Sequence, residues 1–339
     1  MTEFRRDPIT GRSALIVPGR SARPNDHAVA APSTPSEPEC PFCEGNESRT
    51  PPEVAVVAPP GRRPNERGWF VRTIPNRFPT VSPETSGPGM PEGTPGFERR
   101  PAFGYHEVVI ESPTHAPLLA FLPREQVLRV IRMCRERVRL LSENAHVGSV
   151  TLFENAGPES GGSLWHPHAQ LVTVPELAPA LREEMEGAER YRQRVGADCA
   201  FEEVATAEAR DGSRVLFDSG QLIAYAPFAS GYPFEVRIVP HRHAPSFGEA
   251  TDDEADALAN RLPAILRALQ VVLPGASYNF VVRSPVAPAP AYDRYHWHLD
   301  LYPRLVRPDG FDLGSGFPVN TVTPEDAAEA LRAVLGAKR

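Results

Sequence analysis

The sequence predicts a duplicated domain in which each copy contains a strand, a helix and two further strands. Two similar stretches, 107–117 and 235–245, each have the pattern of a strand that leads into His-Ala-Pro. A helix-like segment follows each stretch, at 123–142 and at 251–270. The strands that come next are 149–153 and 166–168 in the first copy, and 277–282 and 296–301 in the second. Four features in the same order, at a separation longer than a solenoid repeat, favour duplication over chance similarity.

The helices are predicted from residues at their N-termini and from their periodicity. The two repeat helices begin with acidic residues, Glu125 in the first copy and 252–254 in the second, which suit a helix N-terminus. The polar segment 176–195 is typical of another helix. A capping residue, Thr323, and regular spacing of Ala and Leu predict a terminal helix at 324–336.

Alternate positions of one predicted strand carry His166, His168 and Gln170. Because a strand sends alternate side chains to the same face, one face of the sheet is expected to carry two imidazoles and a carboxamide. An imidazole can act as a nucleophile that divides one difficult displacement into two easier ones. The alternative is a pair of surface histidines on an ordinary strand.

Length, charge and lysine content exclude several classes of function. At 339 residues the chain is long enough for two domains or one duplicated unit, and its net charge of −7 argues against nucleic acid as a partner. No apolar run approaches the ~20 residues that span a bilayer, and no signal peptide is visible, so we expect a cytoplasmic protein without membrane contact. Lys338 is the only lysine, which excludes a Schiff-base, P-loop or nucleotidyl-lysine mechanism.

The four cysteines are too few for a disulfide scaffold of this size. Cys40 and Cys43, separated by two residues, have the spacing of half a metal site or of a redox pair. A tetrahedral zinc ion needs two further nitrogen or sulfur ligands. A pair of free thiols is the alternative.

Several motifs along the chain occur in the order of a known family. They are Arg-Asp-Pro-Ile-Thr-Gly-Arg at 6–12, Arg-Ser-Ala-Arg-Pro at 20–24, Cys-Pro-Phe-Cys at 40–43, Pro-Asn-Arg-Phe-Pro at 75–79, Phe-Glu-Asn at 153–155, the histidine run at 162–170, Gly-Tyr-Pro-Phe-Glu at 231–235 and His-Trp-His at 296–298. With these motifs the chain resembles the galactose-1-phosphate uridylyltransferase family, the transferase branch of the histidine-triad superfamily, over nearly its whole length. His-Pro-His-x-Gln after Gly-x-Ser is the most specific of them.

The resemblance implies an α+β fold of two histidine-triad-like half-domains, each an antiparallel sheet flanked by helices. It places the zinc site and the nucleophile in residues 1–195 and substrate recognition in residues 196–339. It also implies a homodimer whose active site lies near the subunit interface.

By resemblance, His168 is the nucleophile that attacks the α-phosphorus of a nucleotide sugar and expels hexose-1-phosphate. Gln170 and Ser163 would hold the phosphoryl oxygens, with Asn155 close by. A second hexose-1-phosphate then takes the nucleotide, so the expected activity is that of a UDP-glucose–hexose-1-phosphate uridylyltransferase. Gln170 stands where related hydrolases have a third histidine, which favours transfer over hydrolysis.

Two other functions are alternatives. A phosphorylase of the same branch, such as one acting on ADP-glucose, would use inorganic phosphate as the acceptor. A binding protein that kept the fold without activity would have no need of the intact set Ser163, His166, His168 and Gln170.

The resemblance assigns a structural zinc ion to Cys40, Cys43, His115 and His166. His106 is expected to face solvent or a backbone carbonyl. Many relatives hold a second metal, often iron, whose ligands match Glu184 (or its neighbour Glu183), His296 and His298 here. The third histidine of those relatives is missing, because this chain has Arg-Ser-Pro-Val-Ala-Pro at 283–288. With three ligands at most, we expect His296 and His298 to be packed and hydrogen-bonded instead.

Substrate-binding residues are also implied by the resemblance. Arg20 and Arg23 match arginines near the phosphates, which a guanidinium suits, and an exposed surface position is the alternative. Asn76 matches a residue that contacts the nucleotide ribose, and its neighbour Arg77 replaces an aspartate. Asp312 matches a glutamate that bonds sugar hydroxyls but is one methylene shorter. The base and the hexose therefore stay open.

Overall fold

The computed structural model describes residues 2–22, 40–84, 87–115 and 118–336. The helices are α1 (Arg124–Ser142), α2 (Pro179–Val195), α3 (Ala200–Asp211), α4 (Asp252–Val272), α5 (Gly310–Ser315) and α6 (Pro324–Gly336). The strands are β1 (Glu3–Arg6), β2 (Ser13–Ile16), β3 (Ala55–Val57), β4 (Val71–Pro75), β5 (His106–Ile110), β6 (Ser149–Ala156), β7 (His168–Val174), β8 (Val215–Asp218), β9 (Leu222–Tyr225), β10 (Val236–Pro240), β11 (Tyr278–Arg283), β12 (His298–Pro303) and β13 (Val319–Asn320).

Ten of these strands form one sheet in the order β3-β4-β5-β7-β6-β11-β12-β10-β9-β8. Every neighbouring pair in this sheet is antiparallel. Strands β6 and β11 join the two five-stranded halves, with Ala156 opposite Tyr278 and Leu152 opposite Val282. The chain therefore has the predicted α+β fold, built from two similar half-sheets within one sheet.

The predicted order of strand, helix and two strands is confirmed in both copies. In the first copy β5 is followed by α1, β6 and β7, and in the second copy β10 is followed by α4, β11 and β12. The two copies contribute equivalent strands to the two half-sheets. The expected domain boundary between residues 195 and 196 stays a prediction.

Helices α1, α4 and α6 pack on one face of the sheet. Val109, Leu152 and Leu171 are buried against these helices in the main hydrophobic core. Because side chains alternate along a strand, Phe153 and Gln170 lie on the opposite face of the same strands. The face of the first half-sheet that carries Phe153 and Gln170 is therefore not the face that α1, α4 and α6 cover.

Two of the four helices predicted from the sequence, α4 and α6, are capped by side chains at their N-termini, whereas α1 and α2 have no side-chain cap. The Thr251 hydroxyl accepts a hydrogen bond from the Glu254 N–H (3.1 Å), and the Glu254 carboxylate accepts one from the Thr251 N–H (2.7 Å). At the start of α6 the Thr323 hydroxyl accepts a hydrogen bond from the Asp326 N–H (3.1 Å). A cap of this kind stabilises a helix by about 1 kcal/mol, because it satisfies backbone groups that have no partner inside the helix.

A buried ion-pair cluster fixes the segment between β3 and β4. The Glu53 carboxylate accepts hydrogen bonds from Arg62 (2.7 and 2.9 Å) and from Arg72 (2.9 Å). Burial raises the pKa of Glu53, but the bonds from Arg62, the Asn65 N–H and Arg72 outweigh it and lower the pKa from 4.5 to about 2. A lowered pKa means that this carboxylate stabilises the fold above pH 4.5, and that the stabilisation is lost as the pH falls to about 2.

The small second sheet joins the two ends of the described chain. Strand β2 pairs with β1 and, in parallel, with β13, which places Leu15 opposite Val319. Arg5 reaches Glu325 at the start of α6 (2.8 Å). No helix within the described ranges is long and apolar enough to cross a membrane. The expected homodimer and cytoplasmic location stay predictions.

Glu53→Gln is expected to lower the free energy of unfolding by about 3 kcal/mol at pH 7, because two guanidinium groups, one of them fully buried, lose their carboxylate. The deficit should shrink as the pH falls below 4.5, where the wild-type protein begins to lose the same stabilisation. Denaturant unfolding at pH 7 and pH 3 measures both effects. Glu66→Gln, in an exposed pair with Arg63, is the matched control and should cost less than about 0.5 kcal/mol. An equal deficit at both pH values would contradict the lowered pKa.

Candidate active site and metal-binding clusters

The histidine run lies on the sheet face opposite α1. Strand β7 begins at His168, and strand β6 places Phe153 opposite Gln170. His166 precedes the strand by two residues. The rings of His166 and His168 both pack edge-on against Phe42, with centroid distances of 6.0 and 5.3 Å. The strand therefore brings His168 and Gln170 to one face, and His166 lies just outside it.

One ring nitrogen of His168 has no hydrogen-bond partner among the residues that the structure describes. Its Nδ1 lies 2.8 Å from the carbonyl oxygen of His166, so Nδ1 carries the proton and donates it. Burial lowers the pKa of His168, although the hydrogen bond to His166 acts in the opposite direction. The ring is therefore neutral at cellular pH, and its Nε2 is free to act as a nucleophile.

A small pocket adjoins His168. Its other lining residues are Leu118, Glu154, Asn155, Ala156, Gly157, Leu164, Trp165, His166 and Pro167. The side chain of Asn155, on β6, is oriented by Asn279 on β11, whose Nδ2 donates to the Asn155 Oδ1 (2.7 Å). Ser163 is exposed in the loop that leads into β7 and does not line the pocket. The structure thus places Asn155 beside His168 in the pocket, and Ser163 in the loop that adjoins it.

The expectation that His106 faces solvent or a backbone carbonyl is wrong. His106 is buried at the start of β5, and its Nε2 lies 2.9 Å from the Gln170 Oε1 and 3.0 Å from the Asn76 Nδ2. Its Nδ1 accepts a hydrogen bond from the Thr80 N–H (3.0 Å). Sequence reasoning missed these contacts because they depend on the register of β5 against β7, which places His106 opposite Val172.

The four residues of the expected zinc site come together. The ligand atoms of Cys40, Cys43, His115 and His166 all lie within 4.8 Å of one another, so these residues could hold a metal ion. The Cys43 Sγ is 3.6 Å from the Nδ1 of both His115 and His166, and the Cys40 Sγ is 3.6 Å from the Nδ1 of His166. A tetrahedral zinc ion with Zn–S bonds of ~2.3 Å and Zn–N bonds of ~2.0 Å separates sulfur and nitrogen ligands by about 3.5 Å. The observed distances fit that ion.

A backbone contact orients His166 for this role. Its Nε2 lies 2.7 Å from the carbonyl oxygen of Ser112, which makes Nε2 the donor and turns the lone pair of Nδ1 toward the cysteines. Burial lowers the pKa of His166 to about 4, so the ring is neutral, as a metal ligand must be. The cluster therefore has its ligand atoms already oriented.

His296 and His298, which the sequence predicts to be packed and hydrogen-bonded, are both buried, and they lie in two different groups of possible metal ligands. The Nδ1 of His296 lies 3.7 Å from the Cys199 Sγ and 3.7 Å from a Glu202 oxygen, and that oxygen lies 3.2 Å from the Nδ1 of His243. Cys199, Glu202, His243 and His296 form a second group that could hold a metal ion. This group repeats the first cluster, with Cys-x-x-Glu in place of Cys-x-x-Cys.

His298 belongs to a third, completely buried group. Its Nε2 lies 3.6 Å from Asp300 and 4.0 Å from Glu184. Asp300 accepts two hydrogen bonds from Arg237 (2.7 and 2.9 Å), and the Arg283 Nε lies 3.8 Å from Glu184 and 3.7 Å from Asp300. Two guanidinium groups therefore lie beside the two carboxylates of this group, which could also hold a metal ion.

The expected phosphate and sugar ligands lie outside the pocket. Arg20 pairs with Asp309 (2.8 Å), the N-cap residue of α5. The Asp312 carboxylate accepts hydrogen bonds from the Asp309 N–H (3.2 Å) and from the Val319 N–H (3.0 Å). Arg23 lies outside the described residues. Within the described chain, Arg20 and Asp312 therefore have protein partners, and neither lines the pocket.

Comparison with known proteins gives relatives over nearly the whole chain. Residues 1–177 match the family described as "Galactose-1-phosphate uridyl transferase, N-terminal domain". ADP-glucose phosphorylase of Arabidopsis thaliana is 30% identical over 98% of this chain and 93% of its own length, and galactose-1-phosphate uridylyltransferase of Thermotoga maritima is 28% identical over 98% of each chain. The crystal structure of the Arabidopsis phosphorylase with bound ADP-glucose has a TM-score of 0.82 at 29% identity, over 98% of each chain. The chain belongs to the galactose-1-phosphate uridylyltransferase family of nucleotidyltransferases.

Proposed function

We propose that this protein transfers a nucleotidyl group from a nucleotide sugar to a phosphate-bearing acceptor through a covalent bond to His168. The observation that carries the proposal is the hydrogen bond from the His168 Nδ1 to His166, which leaves Nε2 as the nucleophile in a ring that lines the pocket. The uridylyltransferase relatives support UDP-glucose and hexose-1-phosphate as the substrate pair.

The reaction consists of two displacements at one phosphorus atom. In the first, the His168 Nε2 attacks the α-phosphorus, the bond from that phosphorus to the bridging oxygen breaks, and hexose-1-phosphate leaves with the electron pair. In the second, a phosphate oxygen of the acceptor attacks the same phosphorus, and the phosphorus–nitrogen bond breaks to return its electron pair to Nε2. The Nδ1–H stays bonded to the His166 carbonyl and stabilises the positive charge that develops on the ring.

Carboxamides supply the hydrogen bonds to the phosphoryl group. Gln170 lies on the same sheet face as His168, and Asn155 lines the same pocket. A carboxamide N–H donates without titrating, and a donor of this kind contributes on the order of 3 kcal/mol to the transition state. We assign the same role to the hydroxyl of Ser163, whose loop neighbour Leu164 lines the pocket. A sugar phosphate leaves without a proton, so no acid is needed here.

His168→Ala is expected to abolish the covalent intermediate. Wild-type protein mixed with UDP-glucose or ADP-glucose alone should gain the mass of one nucleoside monophosphate residue, which intact-protein mass spectrometry measures. The variant should gain nothing while its circular dichroism spectrum is unchanged. His241→Ala, which removes a half-exposed histidine paired with Asp218, is the control and should label like the wild type. Equal labelling of His168→Ala would place the nucleophile elsewhere.

A second candidate is phosphorolysis of ADP-glucose, with inorganic phosphate as the acceptor. The Arabidopsis ADP-glucose phosphorylase is 30% identical, and its structure has a TM-score of 0.82, against 0.75 for a uridylyltransferase structure. This likeness supports inorganic phosphate as the acceptor.

The acceptor can be identified by adding candidates to the labelled protein. For the uridylyltransferase, galactose-1-phosphate should remove the UMP label and appear as UDP-galactose on ion-exchange chromatography, and inorganic phosphate should leave the label in place. Removal of the label by inorganic phosphate alone, with a nucleoside diphosphate as product, would select the second candidate. Buffer alone is the control. Rapid release of free nucleoside monophosphate into buffer would contradict both transferase candidates.

We further propose that Cys40, Cys43, His115 and His166 bind a structural zinc ion. Such an ion would attach the Cys40–Cys43 turn to the start of β7 and would take no part in the displacement steps. The second cluster, formed by Cys199, Glu202, His243 and His296, offers one sulfur, one oxygen and two nitrogen ligands, which also suit zinc. We therefore propose two zinc ions per chain.

Metal analysis of the purified protein is expected to find two equivalents of zinc by inductively coupled plasma mass spectrometry. Cys43→Ser should lose one equivalent and unfold at a lower temperature, because metal binding stabilises the folded state. Cys199→Ser should lose the other. Cys134→Ala, which changes a buried cysteine of α1 outside both clusters, is the control and should keep both. Full zinc content in Cys43→Ser would contradict the zinc site at Cys40 and Cys43. Full zinc content in Cys199→Ser would contradict the zinc site at Cys199.

A further inference from the structure

A hydrogen bond from the backbone of Thr80 determines which tautomer His106 adopts. The Thr80 N–H donates to the His106 Nδ1 (3.0 Å), so that nitrogen must be an unprotonated acceptor. A neutral imidazole has one N–H, and it must then be on Nε2. His106 therefore presents a hydrogen-bond donor toward the sheet face that carries Gln170.

The Nε2–H of His106 has one acceptor within reach among the described residues. The Gln170 Oε1 lies 2.9 Å away, and the Asn76 Nδ2 lies 3.0 Å away. The Asn76 Oδ1 accepts from the Phe78 N–H (2.8 Å), so the end of this amide that faces His106 is its NH2 group. An amide nitrogen does not accept a hydrogen bond. The Nε2–H of His106 therefore donates its hydrogen bond to the Gln170 Oε1.

This bond determines which end of the Gln170 amide points away from His106. With Oε1 held by His106, the amide NH2 group is at the opposite end, and it makes no hydrogen bond to any described residue of the protein. Asn155 has the same arrangement, since its Oδ1 accepts from Asn279 and its NH2 group has no partner in the described chain. Both carboxamides of the site therefore have bound oxygens and free donors.

We propose that His106 is a positioning residue, which fixes the Gln170 amide so that its NH2 group, and not its oxygen, faces the phosphoryl group on His168. The inference rests on the proposed function. A Gln170 amide without this bond can rotate by half a turn and present oxygen lone pairs to an anionic phosphoryl group, which repels them. His106 would then act on both displacement steps without touching the substrate.

Two substitutions separate the donor of His106 from its contact with Thr80. His106→Asn keeps a short side chain whose oxygen can accept from the Thr80 N–H, but its amide cannot reach Gln170. His106→Gln is longer and places an amide N–H near the original position of Nε2. The pair therefore tests the bond to Gln170 with little change in packing, and a thermal unfolding curve for each variant verifies the fold.

The rate of formation of the nucleotidyl protein, measured by rapid quench with a saturating nucleotide sugar, is the decisive readout. We expect His106→Asn to slow this step about tenfold or more with less than a threefold change in KM, and His106→Gln to recover to within about threefold of the wild-type rate. In a Gln170→Ala background the same His106→Asn change should have no further effect, because its target is absent.

Each outcome has one meaning. An equal loss from His106→Asn in the wild-type and Gln170→Ala backgrounds would overturn the inference and show a general structural effect. An unchanged rate in His106→Asn, or no recovery in His106→Gln, would overturn it as well. Absence of any nucleotidyl adduct on the wild-type protein would instead contradict the proposed function, so the two failures are distinguishable.

Discussion

The hydrogen bond from the His168 Nδ1 to the carbonyl oxygen of His166 is the interaction on which the site depends. It makes Nδ1 the protonated nitrogen of His168 and leaves Nε2 with a lone pair that no described residue uses. The ring of the same His166 faces Cys40 and Cys43, and Ser112 holds its other nitrogen. Backbone and side chain of one residue therefore connect His168 to the cysteine cluster. The geometry of the cluster and the orientation of the His168 ring are coupled in this way.

The second copy keeps this hydrogen bond in a site that is closed. The Nδ1 of His298 lies 3.1 Å from the carbonyl oxygen of His296, as in the first copy. However, Phe201 of α3 lies 5.0 Å from the His298 ring between centroids, and the histidine is completely buried. Where the first copy has the uncharged Gln170, the second has Asp300, whose negative charge would repel a phosphoryl group. The same strand pattern thus places a histidine beside a pocket in one half and a fully buried histidine in the other.

Patterns confined to one element allowed most of the fold to be predicted, and contacts between elements did not follow from them. The acidic start of α4 at 252–254 and the spacing of Ala and Leu in α6 are local, so the sequence shows them directly. The contact of His106 with Gln170 depends on strand register, which local sequence does not encode. The second cluster was missed for another reason: Glu202 stands where the Cys-x-x-Cys pattern requires a second cysteine.

The pairing of β6 with β11 lets the second half-sheet cover one edge of the first. Asn279, on the second-half strand, donates to both Asn155 and the carbonyl oxygen of Ser160, so the two halves share the wall of the pocket. Strand β6 would otherwise be the open edge of a five-stranded sheet, with unpaired backbone groups that invite aggregation with other chains. The second half thereby covers a strand edge that the first half alone would expose.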